Sequence, residues 1–125
     1  YSAAISGNTM VGISVTTGNS TISGNTITKL TSNSIATGTA GTPALIGIAY
    51  TSTATVNPAL ISGNTISALT LTNASNANAT QVTGIYFSGP SSGNPIIEKN
   101  NINTLSLAST TNSTSTVTGI DCGVI

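Results

Sequence analysis

The sequence predicts an all-β fold, a parallel β-solenoid of three to four coils with Ser/Thr/Asn-rich loop insertions. Three observations carry that expectation. A short apolar string recurs at nearly even intervals, a second string alternates with it, and Gly or Asn interrupts every run before a helix could form. The string Ile-Ser-Gly-Asn-Thr followed by Ile or Met occurs at Ile5–Met10, Ile22–Ile27 and Ile61–Ile66, with a degraded copy at Ile97–Ile102. The second string, Gly-Ile-x-apolar, starts at Gly12, Gly47, Gly84 and Gly119, that is 35, 37 and 35 residues apart. Regular self-similarity on this scale is the signature of repeat architectures.

Each part of the repeat has a physical reading. In Gly84-Ile85-Tyr86-Phe87, Ile85 and Phe87 are two residues apart and share one face of a strand. The β-branched residues and Thr suit strands and disfavour helices. Ile61 and Ile66 cannot share a face on one straight strand, so Gly63-Asn64 between them reads as a bend, because Gly and Asn tolerate left-handed backbone geometry. A third element, Ile-x-x-Leu, follows at Ile27–Leu30, Ile66–Leu69 and Ile102–Leu105. The connectors Thr31–Ile46, Thr70–Thr83 and Ser106–Thr118 vary in length, as loops outside a packed core do. Apolar ends such as Leu71 and Val82 would extend strand pairing into them.

Short strands and bends at a fixed period coil a chain so that like residues stack about 4.8 Å apart. Ile13, Ile48, Ile85 and Ile120 would then form one internal row, and Ile27, Ile66 and Ile102 another. Asn8, Asn25, Asn64 and Asn100 would form an amide ladder that satisfies polar groups at the bend. A competing register aligns Leu45–Tyr50 with Ile61–Ile66 and splits each repeat into two shorter coils. The hand of coiling does not follow from the residues.

At these residues the chain resembles the right-handed parallel β-helix repeats of large bacterial surface and secreted proteins. The resemblance covers nearly the whole chain, and the Ser/Thr/Asn-rich connectors are similar to those of repetitive exported proteins of Bacteroidota type. It implies an extracellular or cell-surface location and a structural or adhesive role.

Composition narrows the function classes independently. Of 125 residues only 3% are charged: Lys29, Lys99, Glu98 and Asp121, summing to zero net charge. A chain without a basic patch has no long-range attraction for nucleic acid or anionic lipid. The hydrophobic fraction of 38% and mean hydropathy of +0.29 speak against a disordered polar tract. The longest apolar run, Pro43 to Tyr50, is far shorter than the ~20 residues of a membrane-spanning helix.

The chemistry of catalysis is sparse. There is no histidine, hence no Ser-His or Cys-His pair and no imidazole metal site. Polysaccharide-cleaving β-helix enzymes need clustered carboxylates, as two-carboxylate hydrolysis illustrates, whereas Glu98 and Asp121 lie on different segments. The Glu98-Lys99 pair replaces Ser-Gly of the other copies and reads as a solvated bend. The repeats lack the acidic calcium-binding pattern Gly-Gly-x-Gly-x-Asp. Cys122, the single cysteine, occupies the position of Val15, Tyr50 and Phe87 and is expected to face inward as a small apolar group, with Asp121 outward. The expectation is therefore no enzyme, no cofactor and no metal. Asn-x-Ser/Thr triplets at Asn19, Asn73, Asn78 and Asn112 arise readily by chance in such a composition and are weak glycosylation signals.

Three roles remain open. The first is a structural module of an extracellular stalk, adhesin or filament. The second is a carbohydrate-binding module using Tyr50, Tyr86 or loop amides. The third is an ice-binding solenoid, which would require Thr rows on one flat face. Because neither end carries a charged or helical cap, the expected partner is another copy stacked head to tail, or further repeats of the same chain.

Overall fold

The structure is a computed structural model and describes residues 2–3, 9–33, 43–55, 58–73, 80–90, 92, 94–109 and 115–123. Twelve strands are present among them: β1 (Ser2–Ala3), β2 (Met10–Val15), β3 (Thr21–Ser23), β4 (Thr26–Thr28), β5 (Thr31–Ser32), β6 (Leu45–Tyr50), β7 (Leu60–Ser62), β8 (Thr65–Asn73), β9 (Gln81–Phe87), β10 (Ile96–Glu98), β11 (Asn101–Ser109) and β12 (Thr116–Cys122). They form three sheets, all of whose strand pairs are parallel. One has the order β2-β6-β9-β12, the second β3-β7-β10, and the third β1-β5-β8-β11 with β4 also on β8.

Every pairing from β2 onward joins a strand to its equivalent in the next repeat. Leu60–Ser62 pairs with Thr21–Ser23 on one side and Ile96–Glu98 on the other. Leu45–Tyr50 pairs with β2 and β9, not with Ile61–Ile66. The two-coils-per-repeat register is therefore not adopted: a whole repeat supplies one strand, or one split strand, to each sheet.

Two slips in the two-residue alternation let each repeat bury more apolar groups than a straight strand could. On β6 the core side chains are Leu45, Ile48 and Tyr50, three and then two residues apart, whereas Ile46 and Ala49 are buried without joining that core. The slip falls at Gly47. On β8 the core side chains are Ile66, Leu69 and Leu71, with the same three-then-two spacing. There the slip falls at Ala68, whose φ is +53°, and its equivalents Lys29 and Thr104 have φ of +59° and +54°. One left-handed residue rotates the strand so that both Ile and Leu of Ile-x-x-Leu point inward.

The strands run further than the connector boundaries read from composition. Thr31–Ile46, Thr70–Thr83 and Ser106–Thr118 were expected outside the coil except for apolar ends such as Leu71 and Val82, and β5, β6, β8, β9, β11 and β12 reach into them from both sides. Leu45, Leu71 and Val82 are fully buried, each worth about 1.5–3 kcal/mol of burial free energy. Alternating apolar residues decide the strand ends there, while Ser32, Thr80 and Thr83 in the same stretches are themselves buried. Residues 34–42, 74–79 and 110–114 of the connectors lie outside the described residues.

Burial falls toward the third repeat. The middle-repeat residues Ile48, Ile61, Ile66, Leu69 and Leu71 are wholly shielded. By contrast Ile96, Val117 and Ile120, on β10 and β12, are 46%, 48% and 47% exposed.

Candidate functional site

The densest set of polar interactions lies at the bend between the second and third sheets, where Gly-Asn separates β3 from β4 and β7 from β8. Gly24 and Gly63 adopt φ of +66° and +63° there, and Lys99 takes the same conformation at +54° in the third repeat. That backbone turn carries the following asparagine inward. Asn25 and Asn100 are half-buried and Asn64 is fully buried.

The three amides form a directional ladder. The backbone N–H and Nδ2 of Asn25 both donate to Asn64 Oδ1 at 3.0 Å. The same two donors of Asn64 bind Asn100 Oδ1 at 3.0 and 2.9 Å. The remaining Nδ2 proton of Asn64 goes to Ile22 O at 2.9 Å, and Asn100 Nδ2 binds Ile61 O at 2.9 Å. Asn64 thus uses both lone pairs and both amide protons, the full capacity of its side chain. Main-chain bonds continue across the bend, from Thr65 N to Asn25 O and from Asn101 N to Asn64 O, each 2.8 Å. Asn8, the fourth residue expected in this row, lies outside the described residues.

The isoleucine rows are placed as follows. Ile13 pairs with Ile48, Ile48 with Ile85, and Ile85 with Ile120. Ile27 pairs with Ile66 and Ile66 with Ile102. A role the sequence reading missed belongs to the glycine preceding the first row. A Cβ on Gly47 would stand 2.6 Å from Gly84 O and 2.7 Å from Ile66 Cγ2; on Gly84 it would stand 2.6 Å from Gly119 O and 2.7 Å from Ile102 Cγ2. The glycine row is therefore the surface against which the Ile27–Ile66–Ile102 row packs. The sign in the sequence was that Gly is kept in all four copies of a motif whose later positions vary.

Two of the described aromatic residues, Tyr50 and Phe87, serve packing. Tyr50 is buried, its ring stacked on Phe87 at 5.3 Å between centroids and 19° between planes. Its hydroxyl donates to Gly18 O at 3.2 Å, and Ser52 Oγ donates to the same carbonyl at 2.6 Å. Tyr50 is thus not available to stack on a sugar, which corrects its assignment as a carbohydrate contact; Tyr86, half-buried on the other face, keeps part of its ring accessible. Cys122 aligns with Phe87 but is exposed rather than shielded, because β12 has no strand on its far side among the described residues. Ile120 is accessible for the same reason.

Three further sets of polar groups are present among the described residues. Asp121 is half-buried and accepts from Gln81 Nε2 at 3.3 Å, the amide that also donates to Thr118 Oγ1 at 3.1 Å. Glu98 and Lys99 meet at 3.4 Å with exposed side chains, a surface pair worth little. On the third sheet, Thr26, Thr65 and Asn101 align across three repeats, as do Thr28, Ser67 and Asn103. Ser67 Oγ donates to Thr28 Oγ1 at 3.3 Å.

Among the described residues, no three of His, Cys, Asp and Glu come together as metal ligands would, and no helix is long and apolar enough to cross a membrane. Compared with known protein families, with curated proteins and with solved structures, the chain finds no match in any of the three.

Proposed function

We propose that the chain is a β-solenoid rod segment with a structural or adhesive role in an extracellular stalk or filament, of the kind resembled by the bacterial parallel β-helix repeats. The observation carrying this reading is that equivalent residues pair strand to strand, one repeat apart, in all three sheets. A rod of this kind needs no chemistry beyond that pairing, since each added repeat extends it by one strand spacing of about 4.8 Å. Its partners are further repeats of the same chain or another copy of it. Near-absence of charge leaves hydrogen bonding and shape as the means by which its sides meet other surfaces.

Duplicating one repeat, residues 47–83, tests the reading. In a one-dimensional stack, stability is a sum of repeat and interface terms, so the longer chain should melt higher and lengthen by a single coil in small-angle scattering. A duplicated repeat that stays unfolded beside an unchanged core would remove the rod reading.

A second reading, a module binding a neutral glycan, is favoured by the aligned hydroxyl and amide rows outside the third sheet. Because Thr gives way to Asn in the third repeat, these rows suit a hydroxylated polymer better than the uniform lattice of ice. Co-sedimentation with insoluble neutral polysaccharides, lost on substituting Thr28 and Ser67 by Lys, would support it. Thermal hysteresis without polysaccharide binding would replace it by ice binding.

A further inference from the structure

We infer that the asparagine ladder gives the rod a direction, so that the β10–β12 edge, unpaired among the described residues, accepts the β2–β4 edge of a second copy and no other orientation. This rests on the rod reading above. Within the chain every rung has one sense: the N–H and Nδ2 of the earlier asparagine donate to Oδ1 of the later one. Two terminal groups are left complementary. Among the described residues, Asn25 Oδ1 accepts no hydrogen bond, and Asn100 has a backbone N–H and a second Nδ2 proton without an acceptor. A copy placed one strand spacing beyond β10–β12 would bring its own Asn25 Oδ1 to Asn100, continuing the ladder with the geometry of the internal rungs.

The apolar surface agrees. Ile96, Val117 and Ile120 are the exposed large hydrophobic residues of the described chain, and all three lie on this edge. The row Val15, Tyr50, Phe87, Cys122 is continuous through the molecule, so Val15 of the incoming copy would cover Cys122. Two copies meeting edge to edge through β10–β12 would instead set Asn100 donors against Asn100 donors. The joint is therefore heterologous, and such joints propagate into open fibres. Among the described residues, β1 alone stands in the way at the amino-terminal edge, a two-residue strand held by two residue pairs to β5, and docking displaces it.

Disulfide trapping tests the direction. Adjacent members of a stacked row are about 4.8 Å apart, inside the Cα range of about 4.4–6.8 Å for a disulfide. Residues 15 and 122 of one copy are three spacings apart, about 14 Å, and cannot join. Val15→Cys should therefore give a ladder of dimers, trimers and longer species under mild oxidation, while the natural chain, with Cys122 alone, should not pass beyond dimers. Adding Asn100→Asp keeps the acceptor but removes both amide protons, one bonded within the chain to Ile61 O and one meant for the joint; losing that joint bond should lower the yield about tenfold. Monomers only, dimers only in the Val15→Cys chain, or a ladder indifferent to Asn100→Asp would each overturn the inference. A separate Cys122→Ser chain carrying Thr28→Cys and Ser67→Cys reports on the rod itself, because those positions pair within one copy. Its internal disulfide forms if the coil register is right, whether or not copies join.

Discussion

Replacing Asn64 by Ala should be among the most destabilising polar-to-small changes in this chain, and the cost follows from its partners. Its Oδ1 receives two hydrogen bonds from Asn25 and its Nδ2 donates to Ile22 O and Asn100 Oδ1. Truncation removes four bonds around a fully buried side chain, leaving groups of buried Ile22 and of half-buried Asn25 and Asn100. Each shielded group without a partner costs about 1–3 kcal/mol. Water entering the vacated space would restore some of these bonds, so about 3–5 kcal/mol is the reasonable total. For a chain of this size that is a fall in Tm on the order of 10–20 °C.

Asn25→Ala supplies the internal comparison. Asn25 is only half-buried, and its loss frees a single Asn64 lone pair from the side chain while the backbone N–H of residue 25 still donates there. About 1 kcal/mol is expected. Urea denaturation of the two variants, followed by circular dichroism, measures the difference. Equal midpoints would show that the ladder is incidental to stability; so would Asn64→Ala lying within about 1 kcal/mol of the parent.

Gly47→Ala must push a methyl group against Gly84 O and Ile66 Cγ2, an overpacking worth about 1–3 kcal/mol; Gly119→Ala, which meets nothing within 4 Å, should leave the midpoint within about 0.5 kcal/mol. Equal effects at the two positions would contradict the role given to the glycine row. Lys99→Gly and Thr104→Gly should each stabilise by about 0.5 kcal/mol in the same urea assay, since left-handed backbone at a side-chain-bearing residue costs about 1–2 kcal/mol and glycine returns part of that as lost flexibility. Ile85→Asp buries an unpaired carboxylate at a fully shielded site and should abolish cooperative unfolding, whereas Ile120→Asp, 47% exposed, should cost under about 1 kcal/mol. A cooperative, native-like melt for Ile85→Asp would place that row outside the core.

Much of the fold was legible because its determinants are local and repeated. The period of Gly-Ile-x-apolar defined which residues become strand partners, and the alternation within each copy defined the inward ones. The Gly63-Asn64 bend was readable from two residue types with a known tolerance for left-handed geometry. Strand ends were less legible. Leu71 and Val82 were readable as apolar ends that extend pairing, but not how far the strands run through the Ser, Thr and Asn around them, where a buried hydroxyl residue such as Thr83 takes its place from pairing with neighbouring repeats. The left-handed residues Lys29, Ala68 and Thr104 were not readable at all, since Lys, Ala and Thr carry no such preference. Their conformation is imposed by the need to turn both Ile and Leu of Ile-x-x-Leu inward, which is a property of the packed stack.

The same distinction explains why the repeat pattern speaks more plainly about architecture than about a partner. Tyr50 had the composition of a ligand contact but the register of a core residue, and register decided: its position in the Val15–Phe87–Cys122 row fixes it inward. A residue's place in the repeat therefore outweighs its chemical type throughout this chain. What varies between repeats at one position, such as Ser14, Ala49, Tyr86 and Asp121, lies outside the apolar core. What persists, Gly, Ile and Asn, lies on the inward rows or at the bend, with Ile120 accessible at the β12 edge. Any selectivity toward another molecule must be written in the varying outward positions, and any tendency to join another copy in the persistent ones. The two proposed properties can accordingly be tested separately, with Thr28 and Ser67 as the handle on the first and Asn100 as the handle on the second.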